Sequence, residues 1–327
     1  MTKHFSRREF LQVSSATAMA GAAAFSAGRA APAAARGPFR GTLCLFSKLA
    51  PQLRWRDLAQ GAKQAGFGGI DLTVREEGHV LPGRAATDLP KAVEAIRAEG
   101  LEVPMLTTSL VSADNPHAEA ILKTASKLSI PFLKPGYYYF KFVNVMDEVE
   151  QAGRQFRGLV EMAGRYGIQV GYHNHTDYIG AAIWDMARVI DPLDPRWCGF
   201  YLDVGHILID GGENGWKAAT NLVIPRLKMV AVKDFIWKEV EPHRWHAETC
   251  PLGQGMVPWK EFMHTLAQSN FHGPISLHEE FAIPGLADEQ GLSLSSAAVP
   301  AVMAAAKENL DYLKSVIREA YEEGGRS

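Results

Sequence analysis

Short apolar runs alternate with longer amphipathic stretches along most of this chain, and that alternation limits the fold more than any other feature. The runs are Thr42–Phe46, Gly69–Thr73, Glu102–Leu106, Phe132–Pro135, Gln169–His173, Gly199–Asp203, Lys228–Val232 and Pro274–His278. Each has the length of a strand. Between them, apolar residues recur at helical spacing: Leu58, Ala62 and Ala65, then Leu89, Val93 and Ile96. Ala118, Ile121, Leu122 and Ala125 mark a third helix, and Phe156, Leu159, Val160 and Ala163 a fourth. Ala301–Tyr321 closes the chain as a long helix, and Gly66, Gly100 and Gly167 stand where helices end.

Strands alternating with helices specify a parallel α/β architecture. Eight such units match one (β/α)8 barrel, which typically takes about 250 residues. A doubly wound nucleotide-binding sheet is the rival, but Ser47-Lys48-Leu49-Ala50-Pro51, after the first run, has no Gly-rich phosphate loop. No repeat or linker divides the chain, so residues 40–321 are expected to form a single barrel. Gly211–Trp216 and the loop Trp237–Val257 read as insertions at its mouth.

The N-terminus reads as a processing segment. Ser6-Arg7-Arg8-Glu9-Phe10-Leu11 matches the twin-arginine export pattern, and a weakly apolar, Ala-rich stretch follows, with small residues suited to cleavage after Ala30 or Ala35. Residues 1–35 are therefore expected to be a signal peptide. The translocase would be a transient partner, the mature protein periplasmic, and no segment a stable membrane span. Twin-arginine export carries folded proteins. Three scattered cysteines, Cys44, Cys198 and Cys250, make no disulfide framework, and Cys44 and Cys198 are expected as small buried hydrophobes. A formal net charge of −2 leaves no basic face for nucleic acid. The oligomeric state is open.

In a parallel barrel all strand ends converge on one mouth, where function concentrates. Side chains alternate along a strand, so Gly171, His173 and His175 share a face, as do Tyr201 with Asp203, Ala231 with Lys233, and Ser276, His278 and Glu280. The expected mouth thus holds His173, His175, Asp203, Lys233, His278 and Glu280, with His206 one helical turn beyond Asp203. A histidine at a strand end is commonly a hydrogen-bonded structural residue. Six converging ionisable groups are costly to bury without a purpose. Imidazoles with carboxylates suit a divalent metal (Mn, Zn, Fe or Mg), and the set also contains a base and a fixed cation. His243 and His246 flank Trp245 in a surface or lid loop, and Gly253-Gln254-Gly255-Met256 reads as a flexible turn.

From Arg40 to Tyr321 the chain resembles the xylose isomerase-like barrel superfamily, in its exported sugar phosphate isomerase/epimerase branch. The segments that carry the resemblance are Gly69-Ile70-Asp71-Leu72-Thr73-Val74-Arg75 with Gly78-His79-Val80, Tyr172-His173-Asn174-His175, Trp184-Asp185, Asp203-Val204-Gly205-His206, Lys233-Asp234-Phe235 and Pro251-Leu252-Gly253-Gln254-Gly255. The resemblance implies one divalent metal held by Glu, Asp, His and Glu at the ends of strands five to eight, with the two glutamates moving protons beside a sugar carbonyl. This chain departs from that pattern. His173 stands at the first Glu position and Asp203 keeps the Asp. Ala231 replaces the His, and His278 stands at the last Glu position with Glu280 two residues on.

The resemblance implies an enzyme that isomerises or epimerises a small sugar or keto-sugar by proton abstraction next to a carbonyl. A keto-glycoside lyase or hydratase is the alternative within that chemistry, and a non-catalytic carbohydrate-binding barrel the alternative outside it. A nuclease of the endonuclease IV type would need more metal ligands and a basic groove. The expected metal ligands are His173, Asp203, His278 and Glu280. Glu280, Lys233, His278 and His206 are the expected catalytic groups, and His79, Lys134, His175, Asn174 and Trp237 are expected to bind substrate. Lys134 and His79 would take hydroxyls or a phosphate, and Tyr137–Phe140 and Trp237 would offer aromatic surface to a sugar ring.

Overall fold

A computed structural model describes residues 37–283, 294–295 and 297–323; the expected signal segment, 1–35, lies outside the described residues. Eight parallel strands close a barrel: β1 (Leu43–Phe46), β2 (Gly69–Val74), β3 (Glu102–Thr108), β4 (Phe132–Lys134), β5 (Gln169–His173), β6 (Cys198–Asp203), β7 (Leu227–Val232) and β10 (Ile275–Leu277). β10 pairs with both β7 and β1, so no edge is left open. All eight runs read from the sequence are strands. β4 stops one residue early, at Pro135, which has no N–H to continue the ladder.

The helices between them are α1 (Trp55–Ala65), α2 (Ala85–Ala98), α3 (Ala118–Lys127), α4 (Val145–Arg165), α5 (Trp184–Ile190), α6 (Val204–Val223), α7 (Trp259–Gln268) and α8 (Val299–Arg318). Their apolar stripes face the barrel. Leu58, Leu89, Ile121 and Phe156 are fully buried, in one contiguous core with Ile70, Leu72, Leu106 and Val170 from the outer faces of the strands. α1 ends at Gly66 (φ 97°), whose single N–H donates to the carbonyls of Ala62 and Lys63, a left-handed cap that a Cβ would strain. No helix among the described residues is long and apolar enough to cross a membrane. Cys44 and Cys198 are buried and unbridged.

The strand register defines the interior. Across neighbouring strands Phe46 pairs with Asp71 and Asp71 with Met105, His173 pairs with Tyr201 and Tyr201 with Met229, and Asp203 pairs with Ala231 and Ala231 with Ser276. Partners in a ladder point to the same face, so these residues line the inside. Met105, Tyr201, Met229 and Ala231 pack there as a plug separate from the outer core, with Phe132 against it. A Cβ on Gly171 would overlap the Met229 methyl, so the bare glycine makes room for the plug.

Two expectations are corrected. Trp237–Val257 is not simply a loop: β8 (Asp234–Glu241) and β9 (Arg244–Cys250) form an antiparallel hairpin turned at His243, which takes φ 64°. Its Trp237, Val240 and Trp245 are exposed, so no buried alternating face marks it in the sequence. Gly211–Trp216 is not an insertion either. It lies inside α6, which kinks at Gly212 (φ 66°, ψ −170°).

Candidate active site

β6 ends at Asp203, and the same residue caps α6. Its Oδ1 accepts the His206 amide at 3.2 Å, which fixes the carboxylate at the mouth and places His206 in the first helical turn. Asn174 completes the anchor. Its Nδ2 donates to the Asp203 carbonyl and its Oδ1 accepts the Asp203 amide, both at 2.8 Å. Asn174 is fully buried, so this residue, expected to bind substrate, instead ties β5 to β6 and holds Asp203.

The Oδ2 of Asp203 then faces inward without a hydrogen bond, as does the Nε2 of His206, 3.6 Å away. One ligand atom each from His173, Asp203 and His206 lies within 4.8 Å of the others. His173 directs Nδ1 at the Tyr201 carbonyl, 3.3 Å away, and His175 directs Nδ1 at the Thr176 carbonyl, 2.9 Å away. A carbonyl only accepts, so each Nδ1 carries the proton and each Nε2 keeps its lone pair. Burial holds His173 and His206 well below the usual imidazole range and His175 at about 4, with Lys233 adding to all three. Unprotonated imidazoles and two orphaned, buried polar atoms fit a divalent ion. The fitting set is His173, Asp203 and His206.

That cluster differs from the expected ligand set, because His278 and Glu280 are engaged elsewhere. His278 Nε2 lies 3.0 Å from the Tyr201 hydroxyl, and its ring stacks on Phe46 at 4.2 Å between centroids. Glu280 bridges two ammonium groups, Lys48 at 2.7 Å and Lys233 at 2.9 Å. Burial would raise the Glu280 carboxyl, but Lys233 and Lys48 outweigh it and hold it well below its ordinary value. Lys233 also stands 3.7 Å from Asp203 Oδ2. Burial alone would lower its ammonium, yet Glu280 and Asp203 hold it above its ordinary value, so Lys233 is a fixed cation. Burial pushes the Asp203 carboxyl up to about 6 against the pull of Lys233.

These groups open onto two adjoining cavities, of about 620 Å3 and 420 Å3, which share Lys48, His175, Lys233 and Glu280 as walls. Trp237 lines the larger, beneath the hairpin, together with Trp245 and His246. Lys134, Tyr137 and His278 line the smaller. His79 lines neither. It is buried near the end of β2 with its amide on Thr73 Oγ1 at 3.0 Å, and burial lowers its imidazole to about 4. The turn Gly253–Met256 is not a free lid: the buried Asp234 carboxylate accepts the amides of Gly253, Gly255 and Val257 and the Trp259 indole.

Sequence reasoning missed a layer below the cavities. Asp71 accepts Thr107 Oγ1 at 2.7 Å, Ser276 Oγ at 2.8 Å and the Tyr201 hydroxyl at 3.2 Å. It also missed Lys48 and Arg75 on the cavity wall. The alternation rule, applied to β2 and β3 as it was to the later strands, finds Asp71 and Thr107.

A closed parallel barrel with ionisable groups gathered at the carboxyl ends of its strands is the architecture of a (β/α)8 enzyme. The chain belongs to the xylose isomerase-like TIM barrel family, whose profile matches residues 59–316. An inosose dehydratase of Bacillus velezensis (strain DSM 23117 / BGSC 10A6 / LMG 26770 / FZB42) is 26% identical over 133 residues, 37% of this chain and 44% of that protein. The chain thus spans less than half the length of the curated relatives it matches. A xylose isomerase domain protein from Planctomyces limnophilus superposes with a TM-score of 0.63 at 14% identity, covering 87% of this chain and 99% of that one. D-psicose 3-epimerase from Clostridium cellulolyticum H10, solved with D-tagatose, gives 0.63 at 13% identity, covering 84% and 99%. At such identities the solved structures speak for the fold alone.

Proposed function

We propose that the protein abstracts a proton next to the carbonyl of a sugar or keto-sugar and returns it, isomerising or epimerising the substrate. The observation that carries this reading is the convergence of His173, Asp203, His206, Lys233 and Glu280 on one mouth. The unprotonated imidazole of His175, which lines both cavities and stands outside the ligand set, takes the proton. The C–H electron pair becomes the enediolate double bond, and the carbonyl oxygen gains the negative charge. Lys233 stays protonated and stabilises that charge. Glu280 is too strongly held by Lys48 and Lys233 to be a good base, and serves to orient Lys233. A divalent ion on His173, Asp203 and His206 would polarise the carbonyl. Dehydration of a keto-sugar starts with the same proton transfer, and the likeness to an inosose dehydratase favours it as the second reading. The reading includes export of the folded enzyme to the periplasm behind residues 1–35.

Incubation with a panel of keto-sugars and inososes in D2O, followed by NMR, tests this. Carbon-bound deuterium next to the carbonyl is the expected result. Product without exchange overturns the proton abstraction but leaves an enzyme, and neither product nor exchange across the panel overturns the proposal in favour of a binding protein.

A further inference from the structure

The smaller cavity is lined by charges of both signs. The Glu280 carboxylate on its wall is matched by Lys48 and Lys233. Lys134 and Arg75 line the same cavity. Lys134 is only 3% exposed, and its Nζ sits 3.5 Å from the Tyr137 ring centroid. Neither Lys134 nor Arg75 forms an ion pair among the described residues. The buried Asp71 carboxylate accepts from Thr107, Ser276 and Tyr201 rather than from Lys134, and together with Glu280 it offsets the cationic surroundings only in part. Burial lowers the Lys134 ammonium well below its ordinary value, and Arg75 lowers it further. A buried ammonium facing a second cation, with an aromatic face as its neighbour, is costly unless something negative arrives.

We infer that the substrate is anionic: a sugar whose carboxylate or phosphate is held between Lys134 and Arg75 while its carbonyl end faces His173, Asp203 and Lys233. The inference rests on reading this mouth as a sugar site. Arg75 offers a planar fork for such a group and Lys134 a point charge. Tyr137 and Tyr178, stacked at 4.5 Å between centroids on the same wall, give the ring an apolar surface. The charged group would fix which end of the sugar enters, and so which carbon meets the base.

Calorimetric titration with D-glucose, D-glucuronate and D-glucose 6-phosphate at equal ionic strength tests this on one carbon skeleton. At least one anion should bind about tenfold or more tightly than D-glucose. Preference for glucuronate assigns a carboxylate, and preference for the 6-phosphate assigns a phosphate. Lys134→Met should erase the preference while the protein stays folded by near-ultraviolet circular dichroism. Equal binding, absent binding, or an unchanged preference in Lys134→Met overturns the inference. The two proposals fail separately. Anion preference without hydrogen exchange in any sugar removes the proton chemistry and leaves the anion site, whereas exchange in neutral sugars without anion preference does the reverse.

Discussion

Asp203 Oδ2 and His206 Nε2 stand 3.6 Å apart at the barrel mouth, both buried and both without a hydrogen-bond partner. The strand end and the helix cap that fix Asp203 also fix His206, so the pair is preorganised by one backbone turn. Divalent Mn, Co or Zn should therefore raise the melting temperature. An ion at a hundred times its dissociation constant adds about 2.7 kcal/mol. Asp203→Ala and His206→Ala should each abolish that rise while remaining folded. Calorimetric scans with and without chelator check it, and a metal-induced rise that persists in both variants moves the ion elsewhere.

Glu279 gives a pH dependence separate from the mouth. Burial raises its carboxyl to about 7, against the Asn309 amide that donates to Oε2 at 2.6 Å, and Oε1 has no partner. A carboxyl whose folded value lies above its unfolded value favours folding while protonated. Its contribution is present below the unfolded value of about 4.5 and is lost as pH rises through 7. Glu279→Gln keeps an acceptor for Asn309 and cannot ionise. It should match the parent near pH 4.5 and exceed it by about 2–3 kcal/mol above pH 8. Urea unfolding at both pH values decides this; an equal gain at both would place the effect outside ionisation.

The parts legible in the sequence are those governed by local period. The eight barrel strands announce themselves as apolar runs, and alternation alone brings His173, Asp203, Lys233 and Glu280 to one mouth. The rest depends on non-local partners. Asn174 reads as one more mouth residue in a Tyr-His-Asn-His string, and only the neighbouring strand shows that both its polar atoms belong to Asp203. His206 is legible as a residue one turn beyond Asp203, but its grouping with His173 and Asp203 as a ligand set needs the fold, where the helix starts directly at the strand end. The hairpin β8–β9 escapes because its exposed strands present no buried face.

Asp234 holds the region behind the hairpin. Its carboxylate gathers three loop amides and the Trp259 indole, at 2.9 to 3.3 Å. Removing it leaves several donors without a partner, at about 1–3 kcal/mol for each one that stays buried. Asp234→Ala should thus cost about 3–5 kcal/mol in denaturant unfolding and expose Gly253–Met256 to proteolysis. A loss under about 1 kcal/mol would show that water replaces the carboxylate.

Ala231 explains why the family's histidine cannot simply be restored. It pairs in register with Asp203 and is fully buried against Met105, Tyr201 and Met229. An imidazole there must displace the plug, and overpacking of this kind costs about 1–3 kcal/mol. Ala231→His alone should lose that stability. Adding Met229→Ala empties the neighbouring volume, and the double variant should recover part of the loss. The new imidazole would then stand beside Asp203 on the adjoining strand, so the double variant should bind Mn more tightly than the parent, about tenfold for one added ligand. Unfolding curves and Mn titrations on the three proteins measure both effects. A fully stable single variant would show an interior with room to spare, and unchanged Mn affinity in the double variant would place the ion away from β7.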